Sequence, residues 1–270
     1  MPNGSRDKPN KAKIARRVIE VLDFFDDDNR EASVMDIVRR YGRPQSSTSE
    51  LLASLVELGL LHKDPYSRTY SLTPRAALLG WSGQTGIVRD GSLVRITDRL
   101  VAQTGLPVAV FAMTGLNVQI VSWRTGPRTA PVNTRGLYGG VQVPMSTSAA
   151  GWLLLSTVPQ PRRDGMVRRL NAEASDERKF AVSEMASRLQ GCHERGWVEG
   201  PAGCNTNAKL IARLLPVGEG ERPLAVGMVH GVEDQVDTEE LLASIDEAIR
   251  QCLNGGEAPA GIVEMLASAA

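Results

Sequence analysis

The sequence predicts an α+β protein with two domains, because its hydrophobic pattern changes once along the chain. In residues 11–72, apolar residues recur at helical spacing in three segments, and two short strand-like segments follow. From about residue 86 onward, strand-like segments alternate with helical ones. A chain of 270 residues with 42% hydrophobic residues is sufficient to form two separate cores.

The first two helices are predicted from apolar stripes that end at polar or glycine residues. The first covers residues 12–25 and ends at the polar run 26–29. The second follows Ser33, a good N-cap residue, with Asp36 in the position of a loose capping box. Gly42 is predicted to end this second helix.

The third helix is predicted to begin with short polar side chains. Pro44 suits its first helical position, residues 45–50 are polar, and the apolar stripe begins only at Leu51. Such a helix buries its later turns and presents its first turns to solvent. Small hydroxyl and amide groups there can reach phosphates and base edges, so this pattern favours a DNA recognition helix.

A hairpin is predicted next, with strands at residues 60–64 and 68–72. A hairpin that follows a helix-turn-helix is a wing, and Tyr66, Ser67 and Arg68 at its tip suit contact with phosphates or the minor groove. Each of these features alone is also typical of an ordinary core or surface. Their order along the chain favours a winged helix-turn-helix.

These residues resemble the IclR family of bacterial transcriptional regulators. The similarity lies in residues 33–55, 57–61 and 70–72, and Pro44-Gln45-Ser46-Ser47 is similar to the usual beginning of the family's recognition helix. The chain departs from the family at Glu50, where a basic residue is usual. A carboxylate at this position repels phosphate or accepts a hydrogen bond from a cytosine amino group, so we expect an altered operator sequence.

The pattern of the remaining residues predicts helices that flank a mostly antiparallel sheet. This α+β arrangement is typical of a GAF-like α/β domain. Gly105 ends its first helix, and Gly115 joins its first two strands. The predicted helices are residues 88–104, 145–155, 161–170, 182–195 and 238–253, and the predicted strands are residues 107–113, 117–123, 141–144, 209–217 and 223–230.

The second domain is similar to the IclR effector domain in two places. Residues 139–151 resemble the family's strand, turn and helix, and Arg195-Gly196-Trp197 resembles the helix end before its next strand. The resemblance therefore spans residues 12–253. The chain departs at Trp152, where the family usually has a basic residue, and in the loop around Cys204.

The turn before the helix at residues 145–155 is a candidate effector site. Backbone N–H groups at a helix start attract carboxylates, and the family's effectors are often small organic or aromatic acids. The alternative is that Ser146 only caps the helix and the remaining residues form core. The candidate effector-binding residues are Met113, Val121, Trp123, Met145, Ser146, Thr147, Ser148, Ala149, Cys204, Met228 and His230.

The resemblance implies double-stranded DNA as a partner, bound at a pseudo-palindromic operator by a homodimer or tetramer. Two-fold symmetry doubles the small contact area of one winged helix. The candidate major-groove contacts are Arg43, Gln45, Ser46, Ser47, Thr48 and Ser49, the candidate backbone contacts of the wing are Lys63, Tyr66, Ser67 and Arg68, and further phosphate contacts are expected from Arg16 and Arg17.

We expect five segments along the chain. They are a flexible tail at residues 1–10, the winged helix-turn-helix at 11–73, a linker helix at 74–86, the GAF-like effector-binding domain at 87–254, and a flexible tail at 255–270.

Composition and motifs exclude several other classes. The formal net charge is zero, which argues against a non-specific polycation but allows a local basic surface. Three cysteines, no signal-peptide pattern and no apolar run of about 20 residues predict a cytoplasmic protein that is not membrane-bound. Catalytic serine elbows, phosphate-binding loops and paired zinc-ligand spacings are absent, so no cofactor, no metal and no enzymatic activity are expected.

These observations predict a ligand-responsive, sequence-specific transcriptional regulator, with repression the commoner mode in the family. The alternative is a small-molecule-binding protein or enzyme whose helical domain mediates protein contacts. That alternative predicts no salt-dependent affinity for DNA.

Overall fold

The computed structural model describes residues 10–26, 28–84, 86–128, 134–218 and 220–254. The predicted tails at residues 1–10 and 255–270 lie outside these ranges, apart from Asn10, which begins the first helix. The chain divides into two compact units, Met1–Gln84 and Thr85–Ala270. Among the described helices, none combines the length and the hydropathy needed to cross a membrane.

The first unit contains the predicted helix-turn-helix and hairpin. Its two strands pair antiparallel, with Leu61 opposite Leu72. The elements are α1 (Asn10–Leu22), α2 (Val34–Tyr41), α3 (Gln45–Glu57), β1 (Leu61–Lys63), β2 (Tyr70–Leu72) and α4 (Pro74–Leu78).

The ends of α2 and α3 follow from local chemistry. The backbone N–H of Ser33 donates to the Asp36 carboxylate at 2.9 Å, which is one of the two contacts of a capping box, and the Ser33 hydroxyl donates to the same carboxylate at 2.7 Å. The hydroxyl of Ser33 is the main cause that lowers the pKa of Asp36. Gly42 ends α2 with a φ of 62°. Pro44 lies at the N-cap of α3, one position before the predicted place, because its ψ of 137° is extended.

Two predicted boundaries in this unit are corrected. α1 ends at Leu22 instead of residue 25, because the chain turns there and packs Phe24 and Phe25 against the core. The predicted linker at residues 74–86 contains α4 and a separate 3₁₀ turn at Trp81–Gly83, since Gly80 between them has a φ of 78°.

The core of the first unit joins α1, α2 and α3 to the hairpin. Leu52 and Leu55 of α3 are fully buried, and they pack in one cluster with Val21, Ile37 and Tyr70. The later turns of α3 are therefore fixed by burial of apolar surface. Its first turns carry the polar residues that the sequence predicted.

The described residues of the second unit form six α-helices and one sheet. Its elements are α5 (Gly86–Arg89), α6 (Ser92–Thr104), β3 (Val108–Thr114), β4 (Asn117–Arg124), β5 (Gln142–Pro144), α7 (Ala149–Ser156), α8 (Arg162–Glu173), α9 (Val182–Arg195), β6 (Trp197–Pro201), β7 (Ala208–Leu214), β8 (Leu224–Gly231) and α10 (Thr238–Asn254). The helix predicted at residues 88–104 is divided into α5 and α6, because Gly91 adopts a φ of 75°.

The sheet has six antiparallel strands in the order β5-β4-β3-β8-β7-β6. Strand residues alternate between two faces. Val108, Val226 and Met228 face the cluster formed with α6 and α10. Ala109 and Val229 face the cluster that contains residues of α7 and α9. Two different cores therefore lie on the two faces of this sheet, and a residue's register decides which one it joins.

Candidate functional site

The first turns of α3 present several of the predicted DNA contacts. Gln45, Ser46 and Ser49 are exposed, and Ser47 is half-buried. Thr48 is a correction to the predicted set, because it is only 2% exposed and its hydroxyl donates to the Pro44 carbonyl at 2.9 Å. A side chain committed to its own backbone in this way does not face DNA.

Two predicted contacts, Arg17 and Arg43, are engaged within the domain. One Nη2 atom of Arg43 lies 2.9 and 3.0 Å from the two carboxylate oxygens of Glu20 on α1. Nη2 of Arg17 donates to the hydroxyl of Ser47 at 3.2 Å. Arg16 is exposed. The sequence did not single out Glu20, because nothing local to α1 indicates a partner 23 residues away.

One carboxylate, that of Asp64, fixes the backbone at the tip of the hairpin. The Asp64 carboxylate accepts hydrogen bonds from the backbone N–H groups of Tyr66 at 2.6 Å and Ser67 at 3.1 Å. The bond from Ser67 and then that from Tyr66 lower the pKa of Asp64. The backbone of Tyr66 is consequently fixed at the tip, and 95% of the residue's surface is exposed. The exposed Arg68 follows with a φ of 58°.

Lys63 extends the set of exposed cations on this hairpin. Its ammonium nitrogen lies 5.6 Å from the centre of the Tyr70 ring, within the range of a cation–π contact. Ser67 is also exposed, and its hydroxyl lies 2.6 Å from that of Thr69. The predicted contacts Lys63, Tyr66, Ser67 and Arg68 are therefore all on the surface of the hairpin.

In the second unit, Ser148 caps α7. A 3₁₀ turn at Met145–Thr147 precedes the helix, and the Ser148 hydroxyl accepts from the N–H of Gly151 at 3.2 Å. Ser148 is only 1% exposed, and Met145 and Ala149 are fully buried. Ser146 and Thr147 are half-buried.

Trp152 and the β6–β7 loop enclose this turn. The indole N–H of Trp152 donates to the Ser146 carbonyl at 2.9 Å, and the Arg188 guanidinium lies 4.1 Å from the centre of the Trp152 ring. A Cβ on Gly203 would lie 3.0 Å from that of Ser148, so the loop touches the cap closely. Cys204 follows Gly203 in the left-handed region, and burial raises the pKa of its thiol.

The predicted effector residues are divided between the two faces of the sheet. Met113, Trp123, Met145, Ala149 and Cys204 belong to the cluster on the α7 face.

Met228 is a correction, because it is buried in the cluster on the opposite face. His230 lies two residues further along β8 and therefore shares the face of Met228. Its Nδ1 lies 2.9 Å from the Gly231 carbonyl. Val121 occupies the extra position of a β-bulge and is 43% exposed. The turn that precedes α7 therefore shares no surface with these three residues.

Within the ranges that the structure describes, no three His, Cys, Asp or Glu side chains lie close enough to hold a metal ion.

Residues 15–65 match the family model described as the IclR helix-turn-helix domain. This match confirms the resemblance predicted for the first domain. No curated protein matches the sequence closely enough to count as a relative.

Solved structures of IclR proteins have a similar fold. IclR of Thermotoga maritima has a TM-score of 0.58 at 14% identity, over 90% of this chain and 98% of that chain. An IclR transcriptional regulator from Alicyclobacillus acidocaldarius has a TM-score of 0.57 at 19% identity, over 92% and 99%. An IclR homolog from Microbacterium hydrocarbonoxydans, solved with 4-hydroxybenzoate, has a TM-score of 0.57 at 18% identity, over 90% and 100%. The predicted α+β fold is confirmed.

Proposed function

We propose that this chain, with its IclR helix-turn-helix domain and the fold of IclR structures, is a ligand-responsive, sequence-specific transcriptional regulator. The observation that carries the proposal is the beginning of α3. Three polar side chains, those of Gln45, Ser46 and Ser49, are exposed there, while the later turns of the same helix are anchored in the core by Leu52 and Leu55. A rigid helix with a polar, exposed start is suited to enter the major groove.

Direct readout of base edges is assigned to the first turns of α3. The amide of Gln45 offers both a donor and an acceptor, as bidentate recognition of adenine requires, and the hydroxyls of Ser46 and Ser49 can bond either to bases or to phosphates. Lys63 and Arg68 on the hairpin supply positive charge for phosphate contacts, which fix the orientation of the domain without specifying sequence.

A small carboxylic acid is the proposed effector. The 4-hydroxybenzoate present in the Microbacterium hydrocarbonoxydans structure supports this chemical class. The proposed pocket lies on the α7 face of the sheet and uses Met113, Trp123, Met145 and Cys204 of that cluster, together with Ser146 of the turn before α7. Ser148 is buried beneath the β6–β7 loop, so an acid that reaches the start of α7 has to displace Gly203 from the cap.

Repression through a pseudo-palindromic operator is the proposed mode, and a homodimer is the proposed assembly. A dimer places two copies of α3 on two half-sites and thereby doubles the contacts. Because a regulator of this kind acts on the chromosome, we assign the protein to the cytoplasm.

The test is selection of binding sites by the full-length protein from a library of genomic fragments, followed by titration across a salt series against a random duplex of equal length. We expect a preference of at least 10³-fold for the selected sites. Equal affinity for selected and random duplexes would contradict the proposal. The same assay then identifies small aromatic acids that change the affinity for the operator.

Ser46→Glu tests the role of α3. Glutamate in the first turn of a helix is favourable for folding, but it repels DNA phosphates. We expect operator affinity to fall at least 100-fold while the thermal midpoint stays unchanged. Ser54→Glu is the matched control, because the exposed Ser54 lies about two turns further along the same helix. Equal losses in both variants would exclude the first turns of α3 as the DNA-reading surface.

A further inference from the structure

The beginning of the recognition helix is fastened to α1 by two side chains that lie three residues apart. Arg17 and Glu20 are neighbours on one face of α1. Arg17 donates to Ser47 in the first turn of α3, and Glu20 accepts from Arg43, immediately before that helix. Both contacts connect α1 to the segment that is proposed to read DNA.

The Glu20–Arg43 pair is partly enclosed. Side-chain exposure is 23% for Glu20 and 40% for Arg43, and both carboxylate oxygens lie within 3.0 Å of the guanidinium. A cavity of about 10 Å³ lies beside the pair, with Tyr41 and Thr48 in its lining. Within the described part of the chain, the Nε atoms of Arg17 and Arg43 are buried without a hydrogen-bond partner.

The charges around Arg43 indicate that Glu20 holds its guanidinium in place. A helix N-terminus carries partial positive charge, which disfavours nearby cations. Arg17 and Arg43 both lie at the N-terminus of α3, and Glu20 is the carboxylate that contacts Arg43. Without that carboxylate, Arg43 would be repelled from its present position towards any anion within reach. On a DNA-binding surface that anion is a phosphate.

We propose that Glu20 is a positioning residue that determines operator selectivity without contacting DNA, because it holds Arg43 away from the phosphate backbone and thereby fixes the start of α3. The inference rests on the proposed DNA-binding function. It reassigns Arg43 from a base contact to a group that fixes the start of α3. A phosphate contact adds affinity for every sequence alike, whereas the base contacts of α3 depend on how the start of that helix is held. Releasing Arg43 would therefore add a phosphate contact on any duplex and weaken the base contacts that distinguish the operator from random DNA.

The test compares Glu20→Gln with the parent protein on the selected operator and on a random duplex. The substitution preserves the size of the side chain and removes the charge that holds Arg43. We expect stronger binding to the random duplex, with a slope of log K against log salt that is steeper by about 0.9, the value for one added phosphate contact. The preference for the operator should fall at least five-fold.

Two further variants separate this effect from a general change in charge. Glu57→Gln removes one exposed carboxylate at the end of α3 and should alter neither the slope nor the preference. In an Arg43→Gln background, Glu20→Gln should have no further effect on the slope, because the cation that it releases is gone. Thermal unfolding of each variant shows that the domain remains folded.

The outcomes distinguish this inference from the proposed function. A parent protein that selects no DNA contradicts the proposed function itself. A parent that selects an operator, with Glu20→Gln unchanged in slope and preference, overturns the role of Glu20 alone. A slope that steepens equally in the Arg43→Gln background also overturns it, because the effect would then not pass through Arg43.

Discussion

Trp152 connects three parts of the second unit through one side chain. Its ring lies under the guanidinium of Arg188 on α9, its edge meets Gly200 on β6, and its indole N–H binds the Ser146 carbonyl before α7. The aromatic residue therefore fixes the turn that is proposed to receive the effector.

Trp152→Phe removes the indole N–H and also the ring edge that meets Gly200. The half-buried Ser146 carbonyl then loses its donor, and we expect the free energy of unfolding to fall by about 1 kcal/mol. Denaturation of the full-length protein in urea measures this change.

Trp197→Phe is the control, because within the described residues the indole of Trp197 makes a contact with Arg195 but no hydrogen bond. Equal losses in the two variants would mean that ring size, and not the bond to Ser146, decides the effect.

At the scale of elements, the turn between α2 and α3 sets the angle at which α3 leaves the core. Gly42 ends α2 in the left-handed region, and its N–H donates to the Val38 carbonyl at 2.9 Å. Pro44 then starts α3 from an extended conformation. The chain thus changes from the direction of α2 to that of α3 within three residues. A glycine is required at position 42 because the φ there is positive.

Gly42→Ala should cost about 1–2 kcal/mol, because an L-residue with a Cβ is strained at a φ of 62°. A Cβ at this position would meet no atom within 4 Å, so the backbone conformation alone causes the loss. The midpoint of chemical denaturation measures it. Gly42→Asn is the matched variant and should lose less, since asparagine tolerates this conformation better. Identical stability of all three proteins would contradict the argument.

At the scale of the whole molecule, a net charge of zero means that DNA affinity depends on where the charges lie. Lys63 and Arg68 are exposed on the hairpin of the first unit, whereas Arg43 is paired with Glu20. A single winged helix offers only a small contact area to DNA. Selective binding by this chain is therefore expected to require two copies.

We expect a protein of 29.1 kDa per chain to have twice that mass in solution and to protect two half-sites about 10 base pairs apart from centre to centre. Light scattering gives the mass, and footprinting on the selected operator gives the spacing. A duplex that contains one half-site is the control and should bind at least 100-fold more weakly. Equal affinity for half and whole operators would show that a single winged helix is sufficient.

The sequence by itself determined the order of most elements and many of their ends. It missed the strand β6 at Trp197–Pro201, and it placed the start of α7 at residue 145 instead of Ala149. Helical and strand periods, the capping pair Ser33 and Asp36, and the glycines at 42, 105 and 115 act over a few residues, so they are visible in a linear sequence. The same local patterns carried the resemblance that the family model confirms at residues 15–65. The polar start and apolar continuation of α3 were predicted from the same kind of local pattern.

Only the tertiary structure decided which of these residues share a surface. The burial of Thr48 and the pairing of Arg43 with Glu20 depend on how α1 packs against α3. Met228 and His230 lie on the face opposite to Met145, because the strand order and the register of β8 place them there. The physical reason is the same in each case. These contacts form between groups that are far apart in the chain, and the helical and strand periods of a local segment do not indicate which distant groups will be in contact.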